Sequence, residues 1–83
     1  MPTEHMGDYD IEYSGVRVIG GEEWVANVAI FGPSHNPMHR NPVFPSQRVL
    51  PDQTFGDEKS AEQGALQVAH ELLESRRGPG SHH

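Results

Sequence analysis

Phe55-Gly-Asp-Glu-Lys-Ser-Ala-Glu-Gln-Gly-Ala-Leu-Gln-Val-Ala-His-Glu-Leu-Leu-Glu-Ser-Arg-Arg-Gly78 is the stretch whose reading decides the fold. At the helical step of about 100° per residue, Ala61, Ala65, Val68, Ala69 and Leu72 fall on one arc, with Leu66 and Leu73 along a rim. Gln63, Gln67, His70, Glu71 and Glu74 take the opposite side. Both ends carry helix signals. Asp57 is an N-cap residue, able to accept from backbone N–H groups that have no partner inside the helix. Glu58 and Glu62 suit the positive end of the dipole, and Arg76 and Arg77 the negative end. Gly78 can take a left-handed terminal position and Pro79 cannot continue the helix. Gly64 costs about 1 kcal/mol against alanine in a helix interior, so its place predicts a close approach by another element. An alanine-rich stripe predicts a helix lying close on a sheet.

Upstream the period changes from helical to two. Tyr9, Ile11 and Tyr13 share one face, and Asp8, Asp10 and Glu12 the other, the pattern of a half-buried strand. Val16 and Val18 fall on even positions, so a bulge or break is expected at Gly15. Val16–Ile19 and Trp24–Phe31 flank Gly20-Gly21-Glu22-Glu23, which predicts a hairpin. Trp24, Ala26, Val28 and Ile30 make an apolar face for the helix to cover; Val25, Asn27, Ala29 and Phe31 make the other. Prolines at 33, 37, 42 and 45 make 32–46 a long loop, and 47–50 a short third strand. The expected domain is therefore α+β over residues 9–77: a three-stranded antiparallel sheet with one C-terminal helix on one face (β-β-β-α). Residues 1–8 are expected to be a disordered N-terminus. Residues 78–83 are expected to be a disordered tail, with His82 and His83 set aside as tag-like.

Composition narrows the function classes. The chain has 83 residues, 34% of them hydrophobic, 7 prolines, 9 glycines and no cysteine, so one small domain without disulfides or thiolate metal sites is expected. A formal net charge of −6 opposes phosphate neutralisation, which argues against a nucleic-acid binder. No apolar run reaches the roughly 20 residues that span a bilayer, and the first residues have neither a basic nor an apolar signal region. A cytoplasmic protein with no membrane partner is expected.

Candidate sites are few. His35-Asn-Pro-Met-His39 is an H-x₃-H pair, a metal-ligand spacing on a helix, but Pro33 and Pro37 oppose a helix there. Its competing reading is a solvated loop. Asp8, Asp10 and Glu12 lack the glycine-containing spacing of a calcium loop and read as a wet strand face. Ser34, His35 and Asp52 contain the residue types of a nucleophile system without its strand-turn-helix context. Pro42-Val-Phe-Pro45 is a P-x-x-P with Arg40 and Arg48 nearby, a polyproline II ligand pattern. His70 reads as a solvent-exposed histidine.

Tyr13-Ser-Gly-Val-Arg-Val, Trp24-Val-Ala-Asn-Val-Ala-Ile and Thr54-Phe-Gly-Asp-Glu-Lys-Ser-Ala-Glu-Gln-Gly-Ala-Leu together resemble small uncharacterised beta-proteobacterial proteins. The resemblance covers residues 9–77, broken by the proline-rich loop. It implies a β-β-β-α domain similar to a double-stranded-RNA-binding core without its first helix, and it carries over no catalytic residue. RNA binding is not implied, because such domains present a basic helix start and this one begins Asp57-Glu58.

The expected function is a non-enzymatic protein-interaction module with no cofactor. Its contact residues would be Val25, Ala29 and Phe31 on the sheet face away from the helix, with Val43 and Phe44 from the loop. A homodimer through that face or a sheet edge is the simplest form. The alternative is a metal-binding protein using His35 and His39; a small hydrolase or a nucleic-acid binder ranks below both.

Overall fold

Asp57 opens the helix as its side chain predicts: its carboxylate accepts the Ser60 backbone N–H at 2.7 Å, and α1 runs Glu58–Arg77. The computed structural model describes residues 2–33 and 41–77, so the stop signals at Gly78 and Pro79, the expected tail 78–83 and residues 34–40 lie outside it. Hydrogen bonds from Ser60, the backbone N–H first and the hydroxyl second, hold the Asp57 carboxyl below its ordinary value, with Lys59 adding a small attraction. A carboxyl depressed in the folded state contributes stability above its unfolded value and loses it as pH falls. Asp57→Ala should therefore lower the melting temperature at neutral pH, and the gap between variant and parent should close in acid below about pH 4. Paired thermal melts across that range check it.

The buried stripe of α1 is Ala61, Ala65, Ala69 and Leu73, all fully inaccessible. Leu66, Val68 and Leu72 flank it, half-buried. Leu73 thus lies on the central row rather than at a rim. Successive i, i+4 positions drift by about 40°, which carries the row from Ala61 to Leu73 across the full contact face.

Among the described residues the sheet has four strands, not three. These are β1 (Thr3–Met6), β2 (Tyr9–Arg17), β3 (Trp24–Gly32) and β4 (Asn41–Val49), an antiparallel meander in the order β1-β2-β3-β4. Two expectations change with it. Residues 3–6, placed in a disordered N-terminus, form β1 through a two-residue connection, Gly7-Asp8, with Gly7 at φ 62°, the geometry that tight hairpins favour. Residues 41–46, placed in the proline-rich loop, are the first two-thirds of β4. Pro42 and Pro45 are compatible with it because β4 is an edge strand, whose outward side needs no N–H.

Gly15 makes no bulge either. The β2–β3 register is unbroken from Asp10↔Phe31 to Arg17↔Trp24. Val16 simply lies on the helix-free face, opposite Val25 and half exposed. Gly15 lies on the helix face, where a Cβ would meet the Glu58 carbonyl oxygen at 2.7 Å and the Ala61 Cβ at 2.9 Å. The glycine is what lets the first turn of α1 touch β2. The β2–β3 hairpin closes with Val18 N–H donating to Glu23 O and Gly21 N–H to Val18 O, and with Gly20 at φ 84°.

Ala26, Val28 and Ile30 of β3 are buried beneath the helix with Ile11, Val49, Ala65, Ala69 and Leu73, as the apolar alternation of that strand predicts. Trp24 and Phe55 exchange two backbone hydrogen bonds, 2.9 and 2.8 Å. This bridge fixes the Phe55 ring over Gly64, where a Cβ would meet ring atoms at 2.8 and 3.2 Å. Gly64→Ala should therefore fail to give the gain of about 1 kcal/mol that helix propensity promises, and should cost a comparable amount. Chemical denaturation of the pair decides the sign.

Candidate functional site

The space between helix and sheet changes along α1. At its start the filling is Gly15 against Ala61; at its end it is Leu72 and Leu73 against Ile30 and Phe44. Large side chains do not close the far end completely. Ile30, Val43, Phe44, Leu72, Leu73 and Ser75 line a cavity of about 170 Å³ that opens to solvent beside the edge strand β4. Two irregularities in β4 pairing, between Val28 and Ile30 and between Ile30 and Phe31, set Phe44 opposite Ile30 and bring it toward the helix. The lining is aliphatic and aromatic apart from the Ser75 hydroxyl, so the groove suits an apolar side chain and offers no proton-transfer pair.

Two of the five residues predicted for protein contact, Val43 and Phe44, sit in this groove, half-buried. The other three do not join them. Val25 and Ala29 are on the helix-free face, opposite Val16 and Glu12 of β2, but only 9% and 3% exposed. Phe31 is half-buried between its register partners Asp10 and Pro42. The middle of that face is polar: Ser14 faces Asn27, whose side-chain amide donates to the Ser46 hydroxyl at 2.9 Å. An alternation that looks apolar along β3 alone is diluted by its polar neighbours across the sheet.

The apolar patterning assigns Ile30 and Leu72 to the helix–sheet core and Leu73 to its rim, and marks none of the three as a site residue. Their signal was present in the helix: the row Ala61, Ala65, Ala69 ends in leucine, so side-chain size grows where the cover must reach farther from the sheet.

His35, His39 and Ser34 lie outside the described residues; Asp52 is exposed in the turn after β4, where Gln53 N–H donates to Leu50 O. Among the described residues, no group of three or more His, Asp or Glu side chains is placed to hold a metal ion. The His70 side chain is partly exposed on the outer side of the helix, as expected, and it has a partner: its Nε2 lies 2.7 Å from a Glu4 carboxylate oxygen of β1. His5 Nδ1 contacts Asp10 on the opposite face. A second, more polar groove runs between α1 and residues 50–55, lined by Gln53, Gln63, Gln67 and Glu71 beside Leu50 and Phe55. Leu50 there holds φ at 53°, a conformation that is strained for a side chain of its size. At the β2–β3 turn Ile19 is completely exposed.

No helix among the described residues is long and apolar enough to cross a membrane. No protein-family model, curated protein or solved structure matches the chain.

Proposed function

We propose that the protein is a small non-enzymatic interaction module that pairs with a second copy of itself along the β4 edge. The observation that carries this reading is the apolar groove of Ile30, Val43, Phe44, Leu72 and Leu73. Electrostatics selects the partner. Two copies of a chain with net charge −6 approach with least repulsion where carboxylates are fewest. Asn-Pro-Val-Phe-Pro-Ser-Gln-Arg-Val of β4 has one charged residue, the cation Arg48. A two-fold arrangement would set each Phe44 against the other copy's groove, an isologous contact that closes on itself. Pro42 and Pro45 remove two donors that a continuous intermolecular sheet would use, so the contact is side-chain packing flanked by short stretches of backbone.

The polar centre of the helix-free face and the inaccessibility of Val25 and Ala29 favour the edge over that face. Sedimentation equilibrium over about 1 to 500 μM tests the reading, a range that brackets the affinities of small interfaces. A concentration-dependent dimer that Val43→Asp abolishes, with the circular dichroism spectrum unchanged, is the expected result. A strict monomer throughout would end the proposal.

A further inference from the structure

The groove between α1 and residues 50–55 encloses about 450 Å³, the size of a small-molecule site. Its walls come from different elements. Gln63 and Gln67, four residues apart on α1, lie on the same side of the helix, and Glu71 continues the row. Gln53 contributes to the other wall from the turn after β4, and Phe55 and Leu50 supply apolar lining between them. The wall opposite the helix is braced. Gln53 N–H donates to Leu50 O at 3.0 Å, and the Arg48 guanidinium donates to Pro51 O at 3.0 Å. Leu50 holds φ at 53° there, a conformation that only its surroundings can impose on a leucine. Two backbone hydrogen bonds to Trp24 tie Phe55, whose ring lies against Gly64. Among the described residues, no hydrogen bond engages the carboxamides of Gln53, Gln63 or Gln67, so each keeps its N–H donors and its carbonyl acceptor for a guest.

We propose that this groove binds a neutral saccharide, with one sugar ring lying on Phe55 and Leu50 and its hydroxyls held by Gln53, Gln63, Gln67 and Glu71. The chemistry of the lining selects that class. A hydroxyl both donates and accepts, and so does a carboxamide, so the glutamines match the vicinal hydroxyls of a sugar. The C–H face of the ring suits the negative face of an aromatic side chain. No cation lines the groove, and Glu71 in a chain of net charge −6 opposes a phosphate or carboxylate ligand. An extended peptide fits less well, because the long wall is a helix whose main-chain groups bond within it, and not a sheet edge to which a strand could add. The groove shares no residue with the Val43–Phe44 cavity, so this site is independent of self-association.

Proton–nitrogen spectra of the labelled full chain, with the glutamine side-chain NH₂ signals included, read the binding. Methyl glycosides of glucose, galactose, mannose and N-acetylglucosamine are each added to about 50 mM, well above the dissociation constant of about 1 mM expected of an open site with few hydrogen bonds. A terminally blocked tetra-alanine serves as the peptide probe. The expected result is saturable shifts with at least one glycoside at the NH₂ groups of Gln53, Gln63 and Gln67 and at the amides of Phe55 and Gly64, with Val43 and Phe44 unmoved. Q63A/Q67A should weaken that binding about tenfold or more. Both positions are exposed on α1 and alanine favours a helix, so the double variant keeps the fold. No saturable shift with any of the glycosides, shifts with the peptide alone, or undiminished affinity in Q63A/Q67A would overturn the proposal.

Discussion

Gly15→Ala is expected to destabilise the protein by about 3 kcal/mol, the upper part of the range for overfilled cores. In an ordinary strand interior the same change would help, since alanine restricts the unfolded chain more than glycine does. Here the new methyl group would sit 2.7 Å from the Glu58 carbonyl oxygen and 3.2 Å from its Cα. Those are backbone atoms in the first turn of α1, and no rotamer change can move them. Either the helix lifts off β2 at its N-terminal end, or β2 bends away. Both responses separate Ala61 from the sheet and weaken the capped start at Asp57. The contrast with Gly64→Ala is informative, because there the obstacle is the rim of the Phe55 ring and the loss should be smaller. At roughly 0.05–0.15 kcal/mol per residue, a chain of this size has a total stability of only about 4 to 12 kcal/mol. Gly15→Ala should therefore shift the urea midpoint far down with little change in slope. A variant as stable as the parent would mean that α1 does not approach β2 this closely.

Ile11→Ala is the second large effect, expected at about 3 to 4 kcal/mol. Ile11 is fully inaccessible, in register with Ile30 of β3 and Glu4 of β1, and belongs to the same buried cluster as Ala65, Ala69 and Leu73. Around it the helix presents mainly alanines, whose short side chains cannot extend into the vacated space, so the cavity should persist. Such a loss would leave a marginal domain partly unfolded at 25 °C. Ile19→Ala is the control: the same side-chain type, completely exposed at the β2–β3 turn, should change stability by less than about 0.5 kcal/mol. Equal denaturation midpoints for the two variants would contradict the assigned core.

The elements legible in the sequence are those whose signal is local. Asp57, the alanine row and the apolar positions Ala26, Val28 and Ile30 each announce themselves within a few residues, and the structure caps the helix with the first and buries the others between helix and sheet. β1 was hidden because its helix-facing positions are Glu4 and Met6, and a charged residue there erases the period of two. That glutamate is tolerable because β1 lies at the sheet edge, where His70 and solvent can both reach it. β4 was hidden by Pro42 and Pro45, which exclude a central strand but not an edge; only the strand order, a non-local property, shows which applies. Gly15 was read as a break for a related reason. A glycine in a strand signals either a bend or a close neighbour, and the neighbour, Glu58, is far along the chain. The groove illustrates the same limit. Val43 and Phe44 read as contact residues of a proline-rich loop, but the residues that shape the cavity with them come from β3 and α1. Val25 and Ala29 failed as contact residues because exposure in a sheet depends on the strands on either side.

Self-association, as proposed, brings two copies together at the β4–α1 groove. The most direct measurement is a dilution series of amide correlation spectra on the isotopically labelled chain, from about 1 mM to about 20 μM, spanning the affinities expected of a small, mostly apolar interface. Concentration-dependent shifts should concentrate at Val43, Phe44, Leu72 and Ser75, leaving Ser14, Asn27 and the β2–β3 turn in place. Spectra that superimpose across the whole series, or shifts that map to the helix-free face, would contradict it.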